Sequence, residues 1–154
     1  MSQSLRFSLI ALLIVLAPVV ALAQNVHFTR GPTCTDNGTT VTCSGTVAGL
    51  GNGDVTVITN ATGTATTICT NPGGNVAPGQ TSTVTPTGSV TLPTTKNGSL
   101  RFSVTTQEPA DPTAAEAGCP NNKWTAEITD VTFTSVTLTL IQNGVQVFED
   151  TFAL

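Results

Sequence analysis

Four Asn-Gly pairs interrupt the chain after residue 24, and the segments between them alternate apolar with polar residues. The pairs are Asn37-Gly38, Asn52-Gly53, Asn97-Gly98 and Asn143-Gly144. Both residue types adopt positive φ at little cost and favour tight hairpin turns, while alternation is typical of strands with one buried face. The many threonines and valines are β-branched and suit such strands. The sequence predicts an all-β domain, an immunoglobulin-like antiparallel β-sandwich of about seven to eight strands.

The segment around Asn97-Gly98 gives the most detailed prediction of register. A three-residue loop with a left-handed glycine sets Leu92 opposite Phe102, so that apolar residues of both strands share one face. The alternation therefore predicts a hairpin between these two strands. Pro86 and Pro93 flank the first of them, which favours an edge position because proline cannot donate to a sheet ladder.

Two β-bulges are expected elsewhere, and the loop length of the last hairpin stays open. Gly63 predicts a β-bulge in a long third strand. A second bulge is predicted near Thr129-Asp130, because the apolar phase reverses between Ile128 and Val131. The last hairpin turns at Asn143-Gly144, and its pattern fits a two-residue or a three-residue loop equally well.

Residues 1–23 have the pattern of a secretory signal peptide. Arg6 precedes an apolar run at 9–16, and Ala21-Leu22-Ala23 forms an A-x-A cleavage site. The run is shorter than the roughly 20 residues of a membrane-spanning helix, and Pro18 interrupts it. We expect a secreted domain at residues 24–154 with no membrane span, and the periplasm or the cell surface stays an open alternative.

The charge balance excludes several partners. Without Arg6, four cationic residues face nine acidic ones, a net charge of −5. So few cations cannot form the stripe that follows a phosphate backbone or an anionic bilayer. We therefore expect neither nucleic acid nor an anionic membrane surface as a partner.

The four cysteines allow three pairings in an exported protein. Cys34 and Cys43 flank the Asn37-Gly38 turn, whereas Cys69 opens one long loop and Cys119 lies late in the other. We predict the disulfides Cys34–Cys43 and Cys69–Cys119. Zinc is disfavoured because the chain has no C-x-x-C spacing.

Catalytic and metal-binding side chains are few. A glycosidase pair needs two carboxylates across a cleft; the candidates are Asp54, Glu127, Asp130, Glu149 and Asp150. The loop acids Glu108, Asp111 and Glu116 lack the spacing of a calcium loop. The single histidine, His27, is expected on an exposed strand, with no nucleophile in a recognisable pattern. We expect no enzymatic activity, no metal and no cofactor.

Two further features have mainly structural interpretations. Trp124, the single tryptophan, is expected to pack in the core near a disulfide, as in immunoglobulin-like domains. Asn37, Asn60 and Asn97 match the acceptor pattern for N-glycosylation, and whether any of them is glycosylated stays open.

Three segments carry a resemblance to known proteins. They are GLGNGDV at 49–55, CTNPGGNVAPGQ at 69–80 and GCPNNKW at 118–124. In them the chain resembles small secreted bacterial β-proteins of unassigned function. The resemblance covers most of residues 24–154 and implies export and a compact β domain. It implies no catalytic residue and no ligand.

The two long loops, 71–80 and 107–123, are the candidate recognition surface, because the predicted Cys69–Cys119 bond brings them together. The candidate residues are Asn71, Gly73, Gly74, Asn75, Gln80, Asn121, Asn122 and Lys123. The sequence thus favours a secreted, non-enzymatic binding or surface-interaction module with an unknown extracellular partner or matrix. The alternatives are a carboxylate-dependent glycoside hydrolase and a structural coat or matrix component, for which the strand between the two prolines offers an edge.

Overall fold

The computed structural model describes residues 25–154, so the predicted signal peptide lies outside the described residues. This part of the chain is all-β, with nine strands where seven to eight are predicted. The strands are β1 (His27–Asp36), β2 (Val41–Ala48), β3 (Asp54–Thr70), β4 (Val76–Pro78), β5 (Ser82–Val84), β6 (Thr87–Pro93), β7 (Leu100–Thr105), β8 (Thr125–Gln142) and β9 (Val145–Ala153). The additional strands include β4 and β5, short pieces in a Pro- and Gly-rich stretch.

The strands form two antiparallel sheets. One sheet has three strands in the order β1-β2-β7. In the other, β3 and β8 lie side by side at the centre and β9 pairs with β8. The opposite edge of β3 is lined in succession by β6, β5 and β4. A pair of very long strands, 17 and 18 residues, therefore organises the larger sheet.

The two sheets share one hydrophobic core. Alternate residues of β3 are buried, and the same alternation occurs in β7 and in most of β2 and β8. The largest fully buried aliphatic side chains come from both sheets: Val41, Val47, Val55, Val57, Val131, Val136, Leu138 and Leu140. Burial of this apolar surface, at about 25 cal/mol per Å², is the main force that joins the sheets.

The three-stranded sheet covers only part of the long β3–β8 ladder. At one limit, the Val131 amide donates to the Gly38 carbonyl in the β1–β2 turn. At the other, the Gly51 amide donates to Oε1 of the buried Gln142, 2.9 Å away. We call residues 55–65 and 131–142 the sheet-covered part. Residues 66–70 and 125–130 are the loop-covered end, where the inward-facing Cys69 is bonded to the 106–124 loop.

The predicted hairpin between the strands at Leu92 and Phe102 is wrong. Leu92 pairs with Val55 of β3, whereas Phe102 pairs with Gly45 of β2, so β6 and β7 belong to different sheets. The turn itself has the expected shape, with Gly98 at a φ of 66° and hydrogen bonds from 95 to 98 and 99. After the turn, the chain crosses to the other sheet. The predicted edge position of β6 is confirmed, since its only ladder partner among residues 25–154 is β3.

The other local predictions are largely confirmed. Thr129 is the extra residue of a bulge in β8, because Thr66 pairs with Asp130 and Thr67 with Ile128. A bulge also occurs at Gly63, but its extra residue is Thr134 of the opposing strand. A Cβ at Gly63 would lie 2.7 Å from a methyl group of Val131 and 2.8 Å from the Thr132 carbonyl. Glycine is needed there for close strand approach.

The last hairpin has a two-residue loop. Gln142 pairs with Val145, and Asn143 and Gly144 have φ values of 52° and 75°. Positive φ at both central residues is the type I′ geometry, which matches the twist of the strands it joins. A bulge at Val147 follows directly, since Leu140 pairs with Phe148 but Ile141 with Gln146.

Hydroxyl groups dominate the outward face of the larger sheet. On β3 this face carries Thr56, Thr62, Thr64 and Thr66, which alternate with the buried residues. Paired threonines on neighbouring strands hydrogen-bond each other: Thr56 Oγ1 lies 2.9 Å from Thr91 Oγ1, and Thr137 Oγ1 lies 2.8 Å from Thr151 Oγ1. The face is thus polar with few charges.

Candidate recognition site

Two exposed turns emerge side by side at one end of the larger sheet. Thr70, the last residue of β3, pairs with Thr125, the first residue of β8. The chain that leaves β3 and the chain that enters β8 therefore lie next to each other. The predicted disulfide Cys69–Cys119 is present, with a Cα–Cα distance of 5.7 Å, and joins the two segments one residue before the ladder ends.

The first turn spans residues 71–75 and is held by its own backbone. The Asn71 amide donates to the Asn75 carbonyl at 3.0 Å, and the Gly74 amide to the Asn71 carbonyl at 2.9 Å. The Asn71 side chain accepts a further bond from the Asn75 amide. Gly73, Gly74 and Asn75 are exposed, whereas Asn71 is half-buried. These hydrogen bonds hold the turn in one conformation, in which backbone and side-chain amide groups face solvent.

The second turn spans residues 121–124 and forms in a similar way. The Asn121 side chain accepts a hydrogen bond from the Lys123 amide at 3.0 Å, and its carbonyl accepts one from Trp124. Asn121, Asn122 and Lys123 are all exposed. Asparagine side chains that bond the backbone two residues on stabilise such turns.

A backbone contact joins the two loops away from the disulfide. The amide of exposed Gln80 donates to the carbonyl of Ala117 at 2.7 Å, and Ala117 is buried. The Gln80 side chain passes so close to Gly118 that a Cβ there would lie 2.7 Å from its amide. We call the 71–75 turn, the 121–124 turn and Gln80 the loop junction. Seven of its eight predicted residues are exposed.

The acids of the 106–124 loop each make a different structural contact. Asp111 Oδ1 accepts a 2.7 Å bond from the Ile128 amide, next to the Thr129 bulge that interrupts the ladder. Glu108 accepts one from the Thr39 hydroxyl at 3.2 Å. These bonds fix the loop to β8 and to the β1–β2 turn. Within residues 25–154, no three His, Cys, Asp or Glu side chains form a group that would hold a metal ion.

Thr113 and Glu116 form a capping box on a single helical turn. The Glu116 carboxylate accepts 2.8 Å bonds from the Thr113 amide and hydroxyl, and the Glu116 amide donates back to that hydroxyl. The bond from the Thr113 backbone, followed by that from its side chain, lowers the pKa of Glu116 below its ordinary value. The turn leads into Cys119, whose amide donates to the Ala114 carbonyl.

The prediction for Trp124 is wrong in part. Its side chain is half-buried and lies outside the cluster of core residues. The reason is its position: Trp124 precedes β8 and belongs to the 121–124 turn. It is thus a partly exposed aromatic ring at the loop junction. The analogy with immunoglobulin-like domains, whose tryptophan packs in the core, did not predict this position.

The carboxylates proposed for hydrolysis are exposed. Asp130 of β8 pairs with Thr66 of β3. Glu149 of β9 pairs with Thr139 of β8, which in turn pairs with Ile58 of β3, eight residues before Thr66. At about 3.3 Å per residue, these rows are roughly 26 Å apart, too far for a glycosidase pair. Glu127 and Asp130 lie in closer rows of one strand, on an open sheet face. Glu149 accepts a hydrogen bond from Thr139, and Asp150 from the following amide.

The remaining candidates have simple surroundings. His27 is exposed on β1, as predicted, with Nδ1 2.8 Å from the Asn25 carbonyl. Asn37 donates from its side chain to Thr42, and Asn60 accepts a bond from the Thr87 hydroxyl. The other predicted disulfide, Cys34–Cys43, joins β1 and β2 across one register pair.

Comparison of the chain with family models, curated proteins and solved structures found no significant match. No helix within residues 25–154 has the length and apolar character needed to cross a bilayer.

Proposed function

We propose that the protein is a secreted, non-enzymatic binding module and that the loop junction is its recognition surface. The observation that carries this proposal is the double restraint on two exposed turns. The Thr70–Thr125 pair and the Cys69–Cys119 bond hold them side by side. Recognition loops on a rigid scaffold are a common design, because little ordering entropy is then lost on binding.

The chemistry of the loop junction supports a neutral, hydrogen-bonding ligand. Its exposed side chains are mainly amides, with one ammonium group and the Pro72 ring, and the half-buried Trp124 ring lies beside them. Amides donate and accept at once, and tryptophan supplies apolar area with little loss of rotamer entropy. An insoluble extracellular polymer, such as a cell-wall or plant polysaccharide, presents matching groups.

Secretion and an immunoglobulin-like sandwich complete the proposal. Two disulfides suit an oxidising compartment. Two antiparallel sheets with a common core support a sandwich. Cys34–Cys43 lies within one sheet and Cys69–Cys119 joins a strand to a loop. The bond between sheets found in antibody domains therefore has no counterpart here.

Co-sedimentation with peptidoglycan, chitin and cellulose tests this function. The variant Asn122→Ala/Lys123→Ala removes two exposed side chains of the loop junction. Its matched control, Lys96→Ala/Asn97→Ala, removes the same residue types from a turn tied to Leu50, at the opposite end of the ladder. We expect saturable binding to one matrix, at least a tenfold loss for the first variant and less than a twofold change for the control. Equal binding by both variants would refute the assigned surface.

A further inference from the structure

The outward face of the three-stranded sheet brings two of the few cations together. Arg30 of β1 and Arg101 of β7 both pair with Thr46 of β2, from opposite sides. Their side chains share a face with Thr46, because the next residue, Val47, is fully buried. Neighbouring strands lie about 4.8 Å apart, so the two arginine backbones are roughly 10 Å apart.

A depression of about 110 Å³ lies between these arginines. Besides the two arginines, it is lined by the hydroxyl-bearing residues Thr33, Ser44 and Thr46 and by Phe102. The room comes from a bulge in β1, where the register shifts between Arg30 and Thr33. Gly31 of β1 and Gly45 of β2 also line the depression and have no side chain to fill it. Bulges often occur at functional sites, where they redirect side chains.

The charges of this depression are unbalanced. Both arginines are exposed, and neither forms a salt bridge or a side-chain hydrogen bond with another residue among 25–154. Residues 25–154 contain nine acidic residues and four cations, yet none of the acids lines this depression. Two unpaired guanidinium groups in one row repel each other, and an anion between them removes that repulsion.

We propose that this depression binds a single oxyanion, the phosphate or carboxylate group of a ligand. Guanidinium groups bind such groups through paired N–H donors, and hydroxyls supply further donors. The volume of the depression suits one phosphate or carboxylate group rather than a polyanion. A polyanion would also need a longer row of basic residues than these two arginines provide. The site lies on the smaller sheet and does not depend on the function proposed for the loop junction.

Titration of the purified protein with sodium phosphate or sodium acetate, at constant ionic strength and followed by NMR, tests this inference. The two anions tell a tetrahedral from a planar group. We expect saturable shifts of the Thr33, Ser44 and Thr46 amides with at least one of them. Arg101→Gln is expected to weaken binding at least tenfold. Arg101→Lys, which keeps the charge but loses the paired donors, is expected to weaken it several-fold.

The control is Lys96→Gln, which removes the same charge from an exposed turn outside the depression. It is expected to change the dissociation constant less than twofold. Because both residues are exposed, the variants should keep the dispersed spectrum of the folded protein. Absence of saturable shifts, or equal weakening by Lys96→Gln and Arg101→Gln, would overturn the proposal in favour of general charge screening.

Discussion

The sheet-covered part and the loop-covered end share one continuous β3–β8 ladder but are buried by different means. In the first, Val55, Val57, Leu138 and Leu140 face a second sheet, and apolar contact holds the two together. In the second, the inward positions of β3 are Thr67 and Cys69. A disulfide and individual hydrogen bonds hold a loop over them.

The difference shows how a sheet can extend beyond its apolar cover. A loop of small and polar residues buries little apolar area, so the hydrophobic effect alone would hold it weakly. The Cys69–Cys119 bond replaces that missing contribution by restricting the unfolded chain. The covalent link also keeps the loop junction in place without a large core beneath it. The predictions below test this division, from the largest effect to the smallest.

Removal of the two disulfides should have unequal effects. The chain-entropy model gives about 4 kcal/mol for the Cys69–Cys119 bond and about 3 kcal/mol for Cys34–Cys43, because the sequence separations are 50 and 9. Urea denaturation of the two double-alanine variants measures both losses. Hydrogen exchange should accelerate at residues 125–130 only when Cys69 and Cys119 are replaced. A larger loss for the Cys34–Cys43 variant would contradict the division.

Gly63→Ala should destabilise the sheet-covered part by about 1–3 kcal/mol, because the added methyl group overlaps Val131 and the Thr132 carbonyl. Thermal and urea unfolding measure this loss. The matched control is Gly73→Ala in the 71–75 turn, where the nearest atom to the new Cβ is a side-chain oxygen 3.3 Å away. A change below 0.5 kcal/mol is roughly what a surface site gives. Similar losses at both positions would mean that strand approach at Gly63 is not restrictive.

Substitution of two buried threonines tests whether the sheet-covered part and the loop-covered end exclude water equally well. Among residues 25–154, the hydroxyls of Thr59, in the sheet-covered part, and Thr67, in the loop-covered end, are buried without a hydrogen-bond partner. Replacing such a hydroxyl with a methyl group removes an unpaired polar atom. Thr59→Val should therefore stabilise by about 1 kcal/mol, and Thr67→Val by less if the loop admits water. Equal gains in urea denaturation would show that the loop seals as well as the sheet.

The smallest effect concerns the capping box of the loop. Because folding lowers the pKa of Glu116, its contribution is present above the ordinary value of 4.5 and is lost as the pH falls through the lower, folded-state pKa. NMR titration of the Glu116 carboxyl carbon should give a midpoint below 4.5. Thr113→Val, which removes the hydroxyl donor, should raise that midpoint. An unchanged midpoint would show that the hydroxyl has no part in the shift.

Local patterns predicted much of this fold. Turn pairs, alternation and phase reversal located the main strands and the bulge at Thr129, because these features depend on neighbours in sequence. Cys34 and Cys43 flank one turn, so their pairing was also local in origin. The same reasoning failed for Leu92 and Phe102, because alternation reports which face is buried but not which strand is the partner.

The two proposed surface sites also differ in how far the sequence alone could locate them. The loop junction was predicted from Cys69, which opens one long loop, and Cys119, which lies in the other, so most of its residues could be named from the sequence, whereas Trp124 was expected in the core. Arg30 and Arg101 are far apart in sequence, and only the registers of β1 and β7 on β2 bring them into one row. Neither arginine has a local pattern that would signal its partner.

The threonine pairs on the outward face of the larger sheet have a consequence for the medium in which the protein is stable. Charged residues make up 9% of the chain, so few surface interactions can be screened by dissolved ions. Hydrogen bonds such as that between Thr137 and Thr151 are not screened in this way. The electrostatic part of the fold's stability should therefore change little from dilute buffer to brine.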